Sequence, residues 1–292
     1  MSLDHINTRD IIHKQFIEEQ RYGKLIGLTT IELNVTELCN RKCVFCPRHD
    51  SAVYPNRKLQ MDRKVIDRLI EQLKENNYKG AIHISGFGEP LLNSNILDYI
   101  IHIKNELREC YVELTTNGDF LTCDDVEKIK DHVDRIVVDC YDGEDQAIAR
   151  EQMFAKIPFK KYALRRLWYD KESQTLEQTV EEWNFNNRAG AVTNIKFNKV
   201  KQQCFIPFYR ITIDWNGDIV LCCNDWHRQQ TGLGNIMNTS FYDLWFSKQL
   251  TDVRHNLANG KRIDDACKNC STNGTLYGKS SFDIISQLQK MQ

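Results

Sequence analysis

Between residues 29 and 198 the sequence alternates short β-type runs with amphipathic helical ones, and this alternation restricts the fold more than any other feature. "TTIELNVTELCN" places Ile31, Leu33 and Val35 at every second position, which is the signature of a strand, and runs into Cys39. "MDRKVIDRLIEQLKENN" repeats Val65, Leu69 and Leu73 four residues apart and predicts a helix. The pattern continues as strand in "AIHISGFGEP", helix in "NSNILDYIIHIKNELREC", strand in "YVELTTNG", helix in "TCDDVEKIKDHV" and strand in "RIVVDCYDG". "KYALRRLWYD" and "VTNIKFN" read as a fifth and a sixth strand. Such alternation implies parallel strands joined by crossovers, in an open sheet or a barrel. A closed eight-unit barrel takes roughly 250 residues, more than this stretch supplies. The expected fold class is therefore α/β, a partial (β/α)6 TIM-like barrel over residues 29–199.

The flanks differ in texture. "RDIIHKQFIEEQRYGKL" reads as a helix within an N-terminal extension, residues 1–28. Past residue 200, "YRITIDWNGDIVLCCND" reads as a hairpin turning at Asn216-Gly217, and "SFYDLWFSKQLTDVRHNL" as one helix with Ser240 at its N-cap. Residues 200–292 are thus expected to form a small α+β domain. A net charge of -1 gives no electrostatic footprint for nucleic acid. The chain has no apolar run of bilayer length, and "MSLDHINTRD" lacks the basic flank and apolar core of a secretory signal. The expected location is cytoplasmic.

Eleven cysteines are many for a chain in a reducing compartment, where disulfides rarely persist, so metal ligation is the leading explanation. Cys39, Cys43 and Cys46 are separated by three residues and then two. Three thiolates fall short of a four-ligand zinc site unless His49 folds back to complete it. They suit a four-iron, four-sulfur cubane with one iron left open to a non-protein ligand. Cys204, Cys222, Cys267 and Cys270 form a second group, with two thiols at the ends of the hairpin segment and two in "CKNC". Four thiolates fill a zinc tetrahedron or ligate every iron of a cluster, and spacing alone does not choose.

In its first cysteine group, with Phe45 just before the last cysteine and the motif at the end of the first barrel strand, the chain resembles the radical SAM superfamily. The resemblance implies a [4Fe–4S] cluster on Cys39, Cys43 and Cys46 whose open iron binds S-adenosyl-L-methionine (SAM), cleaved there to a 5′-deoxyadenosyl radical. "GFGEP" resembles the family's Gly-Gly-Glu-Pro segment, which puts Gly86, Gly88 and Glu89 on the methionine amino group, with Phe87 where a glycine usually stands. "TTNG" resembles the third-strand end, where Asn117 faces the cofactor. Arg165 or Arg166 is the candidate for the methionine carboxylate, and only one of the two can face inward. Arg188, just before Gly190, is the candidate for aiming a guanidinium at a substrate oxygen.

The second cysteine group, with Gly217 between Cys204 and Cys222, resembles the SPASM auxiliary-cluster module. A further cysteine of the full module falls at Leu276, so the shortened form, called Twitch, is implied, with one auxiliary [4Fe–4S] cluster. The layout is most like carbohydrate and cyclitol enzymes of the 2-deoxy-scyllo-inosamine dehydrogenase type. It implies hydrogen abstraction from a hydroxyl-bearing carbon and oxidation to a ketone, with the auxiliary cluster as electron acceptor and a flavodoxin- or ferredoxin-type protein as reductant. Two alternatives accompany it: an epimerase in which a thiol, Cys140 being the candidate, returns a hydrogen atom, and a peptide-modifying enzyme. Cys110, Cys123 and Cys223 remain, and buried cysteine is most often an inert small hydrophobe.

Overall fold

The computed structural model describes residues 2–167, 185–198 and 200–291. Its centre is a sheet of seven strands: β1 (Thr30–Asn34), β2 (Ala81–Ser85), β3 (Tyr111–Thr116), β4 (Arg135–Cys140), β5 (Tyr162–Arg166), β6 (Arg210–Ile213) and β7 (Ile219–Val220). The spatial order is β5-β4-β3-β2-β1-β6-β7. β1 to β6 run parallel, and β7 folds back antiparallel on β6. The sheet is open, in keeping with a partial barrel.

Two periodicities build this layer. Ile31 and Leu33 of β1, Ile82 and Ile84 of β2, Val112 and Leu114 of β3, and Ile136 and Val138 of β4 all lie in the main apolar core. There they meet the buried faces of the crossover helices α2 (Arg63–Glu75), α3 (Ile96–Glu106) and α4 (Cys123–Ile129). The alternate residues of the same strands, Ala81 and Val137 apart, are polar or carry a polar group, among them Glu32, Ser85, Thr115 and Asp139, which line the cleft. α2 is started by Asp62, whose side chain accepts from the Lys64 N–H, and α4 by a reciprocal Thr122–Asp125 capping box. α5 (Glu144–Ala155), between β4 and β5, follows Gly143 at φ 94°, a left-handed conformation that glycine adopts without strain.

Six parallel strands are present, but the sixth is not where the sequence suggested. Residues 192–198 form no strand: Asn194 Nδ2 donates to the Val44 carbonyl at 2.9 Å, and Ile195 packs beside Phe45. The segment covers the first cysteine loop, while β6 supplies the sixth parallel strand beside β1. The fifth strand ends at Arg166, and residues 168–170 of its expected span lie outside the described residues. The sheet therefore runs through the boundary expected near residue 200.

α1 occupies Ser2–Glu18 rather than residues 9–25. The single helix expected after Ser240 divides into α7 (Phe241–Trp245) and α8 (Lys248–Ala258), after a four-residue α6 (Ile206–Tyr209). Ser240 caps α7 as expected, and Ser247 interrupts the run because its hydroxyl accepts from the Leu250 N–H to start α8. A last helix, α9 (Lys279–Met291), buries Ile285 against Gly27 and Ser281 against His13. Among the described residues no helix is long and apolar enough to cross a membrane.

Candidate active site

The C-terminal ends of the parallel strands open on one large cleft, and the first cysteine group stands at its mouth. Cys39, Cys43 and Cys46 all line it, on the loop that follows β1. Burial raises the Cys39 thiol, and it pushes Cys46 up to about 11. Phe45 packs between Tyr141 (5.6 Å) and Phe185 (4.7 Å), which fixes the loop against the β4 end.

The turn after β2 is pressed against this loop. Gly86 sits at φ 98°, and a Cβ on Gly88 would come 2.2 Å from the Thr36 carbonyl oxygen, so only glycine permits the approach. The Glu89 N–H donates to the Leu38 carbonyl at 2.7 Å. The Glu89 carboxylate is 3% exposed and accepts from Thr116 Oγ1 (2.6 Å), the Asn117 N–H (2.8 Å) and the Leu91 N–H (3.1 Å), fastening the β2 end to the β3 end. Burial raises its pKa to about 7 against the pull of these donors. Asn117 reaches back to the cysteine loop, donating Nδ2 to Asn40 Oδ1 at 2.9 Å. Gly86, Gly88, Glu89 and Asn117 thus share one wall of the cleft with the three cysteines.

The two candidate arginines of β5 separate as a strand requires. Arg165 lines the cleft, donating Nη2 to Asp139 Oδ2 at 2.5 Å, while Arg166 turns to the opposite face and pairs with Glu144 and Glu151. The same period of two removes Cys140 from the cleft. Asp139 faces in, whereas Cys140 is 0% exposed in the apolar core, where burial pushes its thiol up to about 11. Beside the three cysteines of the first group, Cys223 also lines the cleft. Arg188 lines it too, at φ 47°, held by Asn224 Oδ1 at 3.0 Å from its Nη1.

Several cleft residues carry no motif. Arg48, 3% exposed, donates Nε to the Phe87 carbonyl (2.6 Å) and Nη1 to Asn56 Oδ1 (2.8 Å). Arg41 donates to Asp119 and Asp142 at 2.5–2.6 Å, bracing the loop from the β3 and β4 ends. On the concave face Glu32 accepts from Ser85 Oγ (2.6 Å), Thr212 Oγ1 (3.2 Å) and Arg210 Nε (3.1 Å). Burial alone would raise Glu32, yet the Arg210 guanidinium and the Ser85 hydroxyl leave it below the usual carboxylate range. The signal for these residues was the polar half of each strand: Glu32, Ser85, Thr115, Asp139, Arg165 and Arg210 all fall on the face opposite the apolar set.

The second cysteine group assembles behind the cleft wall. Cys204 precedes α6, Cys222 follows β7, and Cys267 and Cys270 sit in the turn after α8. Burial raises Cys204 to about 11 and also raises Cys222, and both Cys270 and Cys223 add to the two shifts through proximity. A Cβ on Gly274 would lie 2.2 Å from Cys204 Sγ, so the backbone there closes tightly on the thiol. Cys223 faces the cleft, while the adjacent Cys222 lies near Cys267 and Cys270. Among the described residues no three His, Cys, Asp or Glu side chains draw around one point as a single metal ion requires. His49 lines a separate hollow with Cys46 and Asn194 and does not join Cys39 and Cys43.

Residues 33–166 match the model of the radical SAM superfamily, and residues 204–271 match the SPASM iron–sulfur cluster-binding domain. The S-adenosyl-L-methionine-dependent 2-deoxy-scyllo-inosamine dehydrogenase of Niallia circulans is 28% identical over 258 residues, covering 87% of this chain and 97% of that protein. A probable GTP 3′,8-cyclase of Methanococcus maripaludis is 34% identical over 121 residues, covering 41% of this chain and 38% of the relative. The crystal structure of BtrN in complex with AdoMet and 2-DOIA superposes with a TM-score of 0.72 at 23% identity, covering 86% of this chain and 96% of that one, a likeness of fold.

Proposed function

The chain belongs to the radical SAM superfamily, with a SPASM-type module after its barrel, and on that premise we propose that it oxidises a hydroxyl-bearing carbon of a carbohydrate or aminocyclitol to a ketone. Its cofactors are two [4Fe–4S] clusters and SAM. Cys39, Cys43 and Cys46 would hold the first cluster with one iron open, and Cys204, Cys222, Cys267 and Cys270 would hold the second with every iron ligated. When bound, these groups supply the 5′-deoxyadenosyl radical that abstracts hydrogen and an acceptor for the electron the substrate gives up.

The protein's own side chains do the positioning. Gly86 and Gly88 let the turn after β2 close on β1 and the cysteine loop, and Glu89 offers a carboxylate to the methionine amino group. Asn117 and Phe45 face the same ligand, and Arg165 is the inward guanidinium of its strand. Arg188, anchored by Asn224, is aimed to hold the carbinol oxygen. One observation carries the reading: the cleft is bounded at its mouth by the first thiol group and at its side by Cys223, whose neighbour Cys222 belongs to the second. A substrate in that cleft lies between a hydrogen-abstracting end and an electron-accepting end, the arrangement an oxidation needs. The 28% identity to a dehydrogenase acting on 2-deoxy-scyllo-inosamine, over nearly its whole length, supports the same substrate class. A flavodoxin- or ferredoxin-type reductant and a cytoplasmic location complete the proposal.

A second reading, epimerisation, rests on Cys223 in place of Cys140, because Cys223 lines the cleft. The test is anaerobic reconstitution to about eight irons per chain, followed by incubation with SAM, dithionite and 2-deoxy-scyllo-inosamine in heavy water. Oxidation gives 5′-deoxyadenosine and a product lighter by two hydrogens. A product of unchanged skeleton carrying one solvent deuterium would assign epimerisation instead, and intact SAM under these conditions would refute both.

A further inference from the structure

Among the described residues, buried carboxylates on the concave face of the sheet meet guanidinium groups, and one of those guanidinium groups, that of Arg9, comes from the N-terminal helix. Glu32 pairs with Arg210 and Asp139 with Arg165, all four on barrel strands. Glu113 of β3, 2% exposed, has Arg135 Nη1 and His83 Nε2 at 4.0 Å and is met more closely by Arg9 of α1, whose Nη2 donates to Glu113 Oε1 at 2.9 Å. α1 therefore closes the floor of the barrel with a charged side chain. Arg9 lines the main cleft, and it also lines a smaller cavity of ≈ 50 Å³ behind the floor, with His83, Tyr209 and Tyr277. It is the partition between the two.

Its hydrogen bonding is incomplete. Arg9 Nε is buried and has no acceptor among the described residues. A buried guanidinium N–H without a partner is destabilising, and a bound ligand that supplies the acceptor removes the penalty. Further donors gather around the other two pairs: Glu32 also takes Ser85 and Thr212, and Asp139 also takes the Tyr141 hydroxyl. The floor thus presents donors and acceptors side by side on neighbouring strands, roughly 4.8 Å apart. A ring bearing hydroxyls or an amino group on successive carbons can satisfy such a surface, whereas an apolar ring would leave its groups desolvated and unpaired.

We propose that Arg9 is a specificity-determining residue, and that the N-terminal helix supplies the floor of the substrate site, with the Arg9 Nε–H donated to an oxygen of a polyhydroxylated ring. This rests on the proposed function for the placement of substrate in the cleft. The experiment uses the reconstituted holoenzyme with SAM and no reductant, so that binding is read without turnover. 2-Deoxy-scyllo-inosamine, glucosamine and cyclohexylamine are titrated calorimetrically into wild type, Arg9→Met and Arg9→Lys.

The two polyhydroxylated amines are expected to bind wild type at least tenfold more tightly than cyclohexylamine. Arg9→Met is expected to lose about tenfold of that affinity with SAM binding unchanged. Arg9→Lys keeps the positive charge beside Glu113 but has no Nε–H, so a loss of about fivefold or more is expected there too, and this variant carries the test if Arg9→Met fails to fold. Equal affinity in wild type and Arg9→Lys, or no preference for the polyhydroxylated amines, overturns the inference. If wild type shows the preference and the Arg9 dependence but never oxidises either amine once reductant is added, the proposed oxidation fails and the role of Arg9 stands.

Discussion

At the scale of single residues, Glu89 is the side chain whose chemistry is most exposed to test. Its carboxyl is buried and raised to about 7. Because the folded value lies above the ordinary 4.5, the protonated form favours the fold; that contribution is complete below about 4.5 and is lost as pH rises through 7. Binding a cationic amino group favours the ionised form, so the two effects run in opposite directions. SAM affinity, measured by titration calorimetry on the anaerobic holoenzyme, is expected to fall as pH drops below 7, by up to about tenfold per unit. Glu89→Gln is expected to weaken SAM binding by about tenfold or more and to abolish that slope. Arg188→Gln tests the substrate end: ketone formation is expected to drop about 100-fold, while 5′-deoxyadenosine still accumulates because the residues around SAM are untouched. The cysteine spacing and the GFGEP and TTNG segments made this half of the site legible, since each is a local run of sequence. Cys140 misled because neighbouring strand residues face opposite ways, and its partner Asp139 takes the inward position. Arg41 and Arg48 went unseen because their acceptors, Asp119, Asp142 and the Phe87 carbonyl, are distant in sequence.

At the scale of elements, the second thiol group depends on a close backbone approach. Gly274→Ala would drive a methyl group to 2.2 Å from Cys204 Sγ. The reconstituted variant is expected to hold about four irons per chain in place of about eight, with SAM binding at the first site retained; a full complement of iron would show that Cys204 is no ligand. The strands from β1 to β5 and the crossover helices α2, α3 and α4 are readable because their apolar residues repeat at two or at three to four, whereas α5, which buries only Ala147 and Phe154, offers no such repeat. The sixth strand was misplaced because residues 192–198 have a strand-like composition, while their pairing partners are set by the cysteine loop they cover. α8 begins where Ser247 caps it, a break hidden inside one continuous helical pattern. α9 lacked a cue of comparable length, and its place is set by tertiary contacts with His13 and Gly27.

At the scale of the whole molecule, the barrel and the auxiliary region share one sheet and one buried network. Asn34 Nδ2 donates to both Glu37 Oε1 (2.9 Å) and Asp214 Oδ1 (2.7 Å), and Arg228 pairs with Glu37 and Asp214. Tyr54 donates to Glu37 Oε2 at 2.7 Å, so the segment after β1 is tied to the hairpin through Asp214 and Arg228. That network ties the loop that carries the first thiol group to the segment around the hairpin that carries Cys222. The sequence announced two cysteine sites but not that they flank one chamber, because Cys222 and Cys223 look equivalent until the structure puts Cys223 on the cleft. The most direct test of the oxidation between these sites uses 2-deoxy-scyllo-inosamine deuterated at the carbinol carbon, with SAM and reductant in ordinary water. The account predicts one deuterium in 5′-deoxyadenosine for each ketone formed. Ketone without label transfer, or 5′-deoxyadenosine free of deuterium in equal yield, would contradict it.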